Sequence, residues 1–138
     1  MRRWLAARPP GHALDLGGGH GRHAAWLRER GWHVLLLDHD EDAVAAAAAR
    51  GLAAARQDLT QHPWPVAGPY DVVLVHRVLY QLPASARGAV VERAAGALDR
   101  GGELLLVEPS TVLASLRPPG GVREIDASAV HRRWRQGS

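Results

Sequence analysis

The densest concentration of chemistry-bearing residues is Asp15-Leu16-Gly17-Gly18-Gly19-His20-Gly21, a D-x-G-x-G-x-G string leaving an apolar run. Glycines at this spacing let the backbone turn tightly and approach a ligand with no Cβ in the way. Free amides at the start of a following helix can face a negative group, and a ligand carboxylate would suit that place. Asp15 has two open roles: ordering the loop through backbone amides, or contacting a ligand ammonium. Asp38 stands where the next apolar run ends, followed by His39, and Asp58-Leu59 comes after a third, weaker run. His76 and Tyr80 fall just past a fourth run, at the carboxyl edge where open α/β sheets bind ligands. Both are candidates for the substrate pocket and for catalysis, because an imidazole can take a proton from a nucleophile near neutral pH.

Several chemistries are excluded. A dinucleotide fingerprint needs G-x-G-x-x-G, but the sixth position from Gly17 is Arg22 and the third from Gly19 is already Gly21. The chain has no lysine, which removes the phosphate-binding P-loop. With no cysteine there are no disulfides, thiolate metal sites or cysteine nucleophile, and a reducing cytoplasm is the expected setting. His20 and His23 lie three apart, but no carboxylate or third histidine is spaced to complete a metal site. The formal net charge of +3 comes from arginines scattered along the chain, clustered only at Arg132, Arg133 and Arg135. A solvated basic surface is therefore expected rather than nucleic-acid binding. The opening is basic and short and is interrupted by Pro9-Pro10-Gly11, so it does not read as a signal peptide, and no run is long enough to span a membrane.

The elements that must position these residues follow a repeated strand–helix pattern, the signature of a parallel sheet in one domain covering 1–138, with a core at 13–109 and a tail at 110–138. Strands are predicted at Ala13–Leu16, Trp32–Leu37, Leu52–Gln57, Tyr70–Val75 and Glu103–Val107. Helices are predicted over Arg22–Arg30, Ala43–Arg50 (capped by Asp40 or a neighbour) and Ala84–Leu98, with Asp99-Arg100-Gly101-Gly102 as a turn. Trp26 and Trp32 belong to the core. Trp64, between two prolines, either covers a ligand face or anchors its loop. In the tail a short helix near Val112–Leu116 and a strand over Gly121–Ala127 are the only assignable pieces.

The glycine string, continued through Trp26-Leu27, Gly31, Val34 and Asp38, resembles motif I and the following strand of class I S-adenosylmethionine-dependent methyltransferases. The similarity extends over Leu14 to Glu108. Gly21-Arg22-His23 and Val78-Leu79-Tyr80 are most similar to the small-molecule, tellurite-resistance-like branch. The resemblance implies a Rossmann-like, doubly wound, mainly parallel α/β sheet, S-adenosylmethionine as cofactor, and methyl transfer to a small-molecule acceptor. It further implies a cofactor site at Asp15, Gly17, Gly18, Gly19, Asp38, His39, Asp58, Leu59 and His76. Within it Asp38 binds the ribose hydroxyls, a task suited to a carboxylate that accepts two hydrogen bonds, and Asp58 lies near the adenine amino group.

Two departures shape the expectations. About ten residues precede the first strand, too few for the family's N-terminal helix over the cofactor. The tail is short and rich in Pro and Gly, so five strands are expected, with the sheet truncated after the fifth. Such an exposed edge would favour a homodimer. The alternatives to an enzyme on a small molecule are a non-catalytic cofactor-binding or interaction domain, and an RNA or DNA methyltransferase gripping its substrate through the Arg-rich tail.

Overall fold

The computed structural model describes residues 1–127 and 131–137. The five apolar runs become strands β1 (His12–Leu16), β2 (His33–Asp38), β3 (Ala53–Arg56), β4 (Tyr70–His76) and β5 (Leu98–Val107), all parallel. In the tail the strand expected over Gly121–Ala127 forms as β6 (Val122–Ala127), and a further strand that was not expected, β7 (His131–Gln136), inserts beside β5, giving the order β3-β2-β1-β4-β5-β7-β6. β7 runs antiparallel to both neighbours, pairing Leu104 with Trp134 and Leu106 with Arg132. The sheet is thus not truncated, and β5 is not the exposed edge on which a homodimer was expected.

Because both faces are covered, the central strands are rich in apolar residues that alternate between two cores. Leu14, Leu16, Val73, Val75, Leu104 and Leu106 face helices α4 (Ala84–Gly96) and α5 (Ser110–Ala114), together with Trp134. Ala13, Val72, Leu74 and Leu105 face the other side, beneath α2 (Arg22–Glu29) and α1 (Arg2–Ala6). The residues before β1 thus form a short helix whose Leu5 is buried with Leu27 and Trp32. α3 (Glu41–Ala49) is capped by Asp40, whose carboxylate accepts from the Asp42 amide at 2.9 Å. Its Ala43 and Ala47 are buried, and Ala47 packs with Ala24 and Leu36.

The predicted boundaries around β5 move. Leu98 leaves the predicted helix for β5, and the predicted turn at 99–102 is an irregularity inside that strand, where the register jumps from Tyr70–Leu98 to Val72–Glu103. The basic tail is woven into the sheet. Arg132 donates to the carbonyls of Leu113 (2.6 Å) and Leu116 (3.2 Å) and lies 3.8 Å from Glu124, while Arg133 lies 4.0 Å from Glu103 and over the Trp4 ring.

Trp134 is the largest fully buried side chain and joins β7 to the α4/α5 core. Trp134→Ala is expected to cost about 3–5 kcal/mol in urea unfolding. The exposed neighbour Arg135→Ala should stay within about 0.5 kcal/mol of the wild type.

Candidate functional site

β1 pairs with β2 on one side and β4 on the other, so the chain diverges at its carboxyl end and leaves a crevice there. The glycine loop fills this point. The amides of Gly17 and Gly18 donate to the Leu37 carbonyl at 2.7 and 3.3 Å, which anchors the loop to β2. Gly17, at φ +65°, lies so close to Val78 that a Cβ would collide with that side chain. Gly19, at φ +60°, has no atom within 4 Å of where its Cβ would stand, so the loop presents bare backbone to open space.

Asp38 joins this loop to the next. One carboxylate oxygen accepts from the Gly19 amide and the other from the Asp40 amide, both at 2.9 Å, and His39 Nδ1 lies 3.6 Å away. Two cavities flank Gly17. One, of about 190 Å³, is lined by Gly17, His39, Asp58, Leu59, Val78, Gln81 and Leu82. The other, of about 270 Å³, is lined by Asp15, the three loop glycines, His20, Arg22, His23 and His76. A larger groove of about 700 Å³ lies between α4 and residues 115–120, but it includes none of the glycine loop. Its Arg87 is already engaged with the carbonyls of Leu79 and Tyr80.

Most of the residues singled out from the sequence therefore converge. Asp15, Gly17, Gly18, Gly19, His39, Asp58, Leu59 and His76 all line the two cavities, and Asp38 stands nearly buried at the loop they share. Tyr80 does not join them. It is 47% exposed and lies outside both linings. Trp64 is the loop anchor: it is buried in the core, and its indole donates to the Leu59 carbonyl at 3.2 Å.

The electrostatics of the second cavity are unusual. Asp15 is 1% exposed, and its Oδ2 is buried without a hydrogen-bond partner. Burial, and then the nearby Asp38 carboxylate, push its pKa up to about 7. His23 is moved down to about 4, by burial first and then by His76, Arg2 and Arg22. Its ring meets His76 edge-on at 4.7 Å, which leaves both ring nitrogens buried and unpartnered. His76 is lowered too, chiefly by burial and then by Arg77 and Arg22. The exposed Asp58 is held below the usual carboxylate range by the hydroxyl (2.7 Å) and amide (2.9 Å) of Thr60.

Glu108, unassigned in the sequence reading, holds the turn that carries one wall. Only 1% exposed, it accepts from the amides of Val78 (2.8 Å), Leu79 (3.0 Å) and Tyr80 (3.3 Å), fixing the 3₁₀ turn at Leu79–Gln81 that brings Val78 against Gly17. Its signal in the sequence was a buried-strand terminus ending in an acid at the ligand-binding edge.

Residues 13–102 match a family described as a methyltransferase domain. The chain belongs to that family. This methyltransferase domain is 33% identical over 122 residues to a protein-L-isoaspartate O-methyltransferase of Methylorubrum populi. That match takes in 85% of the chain but 50% of the relative, so the domain spans half the length of the curated relative it matches. Its fold is shared with a TehB-like SAM-dependent methyltransferase from Corynebacterium glutamicum (TM-score 0.79, 18% identity, 99% of this chain and 86% of that one). It is also shared with the N-methyltransferase NodS from Bradyrhizobium japonicum, solved with S-adenosyl-L-homocysteine (TM-score 0.77, 18% identity, 97% and 82%). The seven-stranded sheet is the fold of class I S-adenosylmethionine-dependent methyltransferases.

Two outcomes test this geometry. Folded Asp15 keeps its proton up to about pH 7, whereas an unfolded aspartate loses it near 3.8. Between those values the folded state binds more protons, so stability falls as pH rises through the window. Asp15→Asn should match the wild type near pH 4 and exceed it above pH 7 by about 2–4 kcal/mol in urea titrations. Glu108→Ala, which strands three amides, should cost about 2–3 kcal/mol in the same assay.

Proposed function

We propose that this chain transfers the sulfonium methyl group of S-adenosylmethionine to a nitrogen, oxygen or sulfur nucleophile of a small-molecule acceptor. The observation that carries this reading is a buried carboxylate, Asp15, with an unpartnered oxygen beside a bare glycine loop that Asp38 holds in place. An ammonium beside Asp15 would satisfy that oxygen and favour its ionised form.

The residues fit the cofactor in order. Each oxygen of Asp38 has one backbone amide and retains a second lone pair, which suits it to the ribose hydroxyls. Leu59, Val78 and Leu82 supply apolar walls for a flat adenine, with Asp58 and His39 at the rim. Gly17 to Gly19 let the methionine portion lie against backbone.

When bound, the sulfonium supplies an electrophilic methyl carbon and a good leaving group. The protein's task is then mainly to hold donor and acceptor in line. For an acceptor that carries a proton, His76 is the assigned recipient, because burial keeps its imidazole neutral. Tyr80 is assigned no role. The relatives' names specify an O-methyltransferase and an N-methyltransferase, so the shared fold leaves the acceptor atom open, to be found by screening. A small molecule is preferred over nucleic acid because Arg132 and Arg133 are engaged within the sheet.

Calorimetric titration with S-adenosylmethionine and S-adenosyl-L-homocysteine tests the reading. Micromolar binding by the wild type, weakened at least about tenfold in a folded Asp38→Ala variant, is expected for two lost charge-assisted hydrogen bonds. Absence of binding to the folded wild type would overturn it.

A further inference from the structure

The cavity beside Asp15 is polarised. Its negative side is the Asp15 carboxylate, with Asp38 close enough to raise the Asp15 pKa. The other walls carry the Arg22 guanidinium, which supplies the positive charge, and the imidazoles of His20, His23 and His76, of which His23 and His76 are driven toward the neutral form and offer N–H donors rather than charge. A ligand matching both sides carries a positive group toward Asp15 and a negative group toward the basic wall, as an α-amino acid does.

Within the basic wall His23 stands apart. It is the first-turn residue of α2 that follows the glycine loop, and its ring is held edge-on against His76. Both of its nitrogens are buried and have no hydrogen-bond partner. A neutral imidazole has one N–H donor and one acceptor, and leaving both unmade in a buried place is unfavourable unless something arrives to use them. Packing on His76 gives no such partner, because the contact is ring to ring. The positive surroundings, Arg2 and Arg22 among them, disfavour protonation of His23 and would favour an anion beside it.

We propose that His23 is a specificity-determining residue that donates its N–H to the carboxylate of the cofactor's amino-acid end, with Arg22 as the neighbouring charge. This rests on the cofactor reading above and deepens it: Asp38 and the apolar cavity would hold the adenosine half, while Asp15 and His23 read the zwitterion. The two halves of the site are then separable by ligand truncation.

The test is calorimetry at pH 7.5 with S-adenosyl-L-homocysteine, 5′-methylthioadenosine (the same nucleoside without the amino-acid end) and free methionine. The wild type should prefer the homocysteine compound over methylthioadenosine by at least about tenfold, since hydrogen bonds to charged groups carry that much. His23→Ala should lose about tenfold for the homocysteine compound and stay within about twofold for methylthioadenosine. His23→Gln, which keeps an N–H donor on a side chain of similar reach, should stay within about threefold of the wild type for both. Equal weakening of both nucleosides in His23→Ala would make His23 a packing residue and overturn the proposal, as would no weakening at all. Methionine binding as tightly as the homocysteine compound would overturn it as well, assigning the cavity to an amino-acid acceptor instead. A wild type that binds neither nucleoside defeats the cofactor reading itself, an outcome distinct from failure of the His23 assignment.

Discussion

The site depends on the carboxylate of Asp38. Its two oxygens grip backbone amides from different loops, Gly19 after β1 and Asp40 before α3, so the end of β2 becomes the strut between them. Free rotation of the glycine loop would be entropically favoured, since glycine loses more conformational freedom than any other residue on folding. The charge-assisted bond at Gly19, together with the two bonds to the Leu37 carbonyl, opposes that loss and leaves the loop pre-shaped. A second carboxylate, Asp15, shares the neighbourhood, and its raised pKa records first its burial beneath the loop and then the nearby Asp38 charge.

The central half of the fold was legible because its signals are local. β1, β2 and β4 announce themselves as continuous apolar runs, and the Asp-Gly string marks the β1–α2 junction without reference to anything distant. β7 was illegible for the opposite reason. His131-Arg132-Arg133-Trp134-Arg135-Gln136 carries one apolar residue, and its other inward contacts come from arginines that reach elements far away in sequence. Arg133 lies over Trp4, some 130 positions earlier, a pairing that no local periodicity encodes.

The site divides along the same line. Residues whose position follows from a strand end, such as Asp15, Asp38 and His76, could be placed from the sequence, and they line or brace the cavities. Tyr80 was counted into the pocket from proximity alone, but the 3₁₀ turn set by Glu108 holds its amide and leaves the half-exposed residue outside both cavity linings. Glu108 itself acts across about thirty positions on three amides, and the His23–His76 contact joins an α-helix to a strand end. These are properties of the assembled sheet rather than of any segment.

The interior place of β7 bears on how the chain is made. Residues 131–136 occupy the slot between β5 and β6, so the strand furthest along the sequence completes the middle of that flank rather than its rim. During vectorial synthesis β5 emerges some 25 residues before the segment that pairs with it, and its hydrogen-bonding edge stays open for that interval. At a few residues per second the nascent chain spends seconds in a state prone to intermolecular strand pairing.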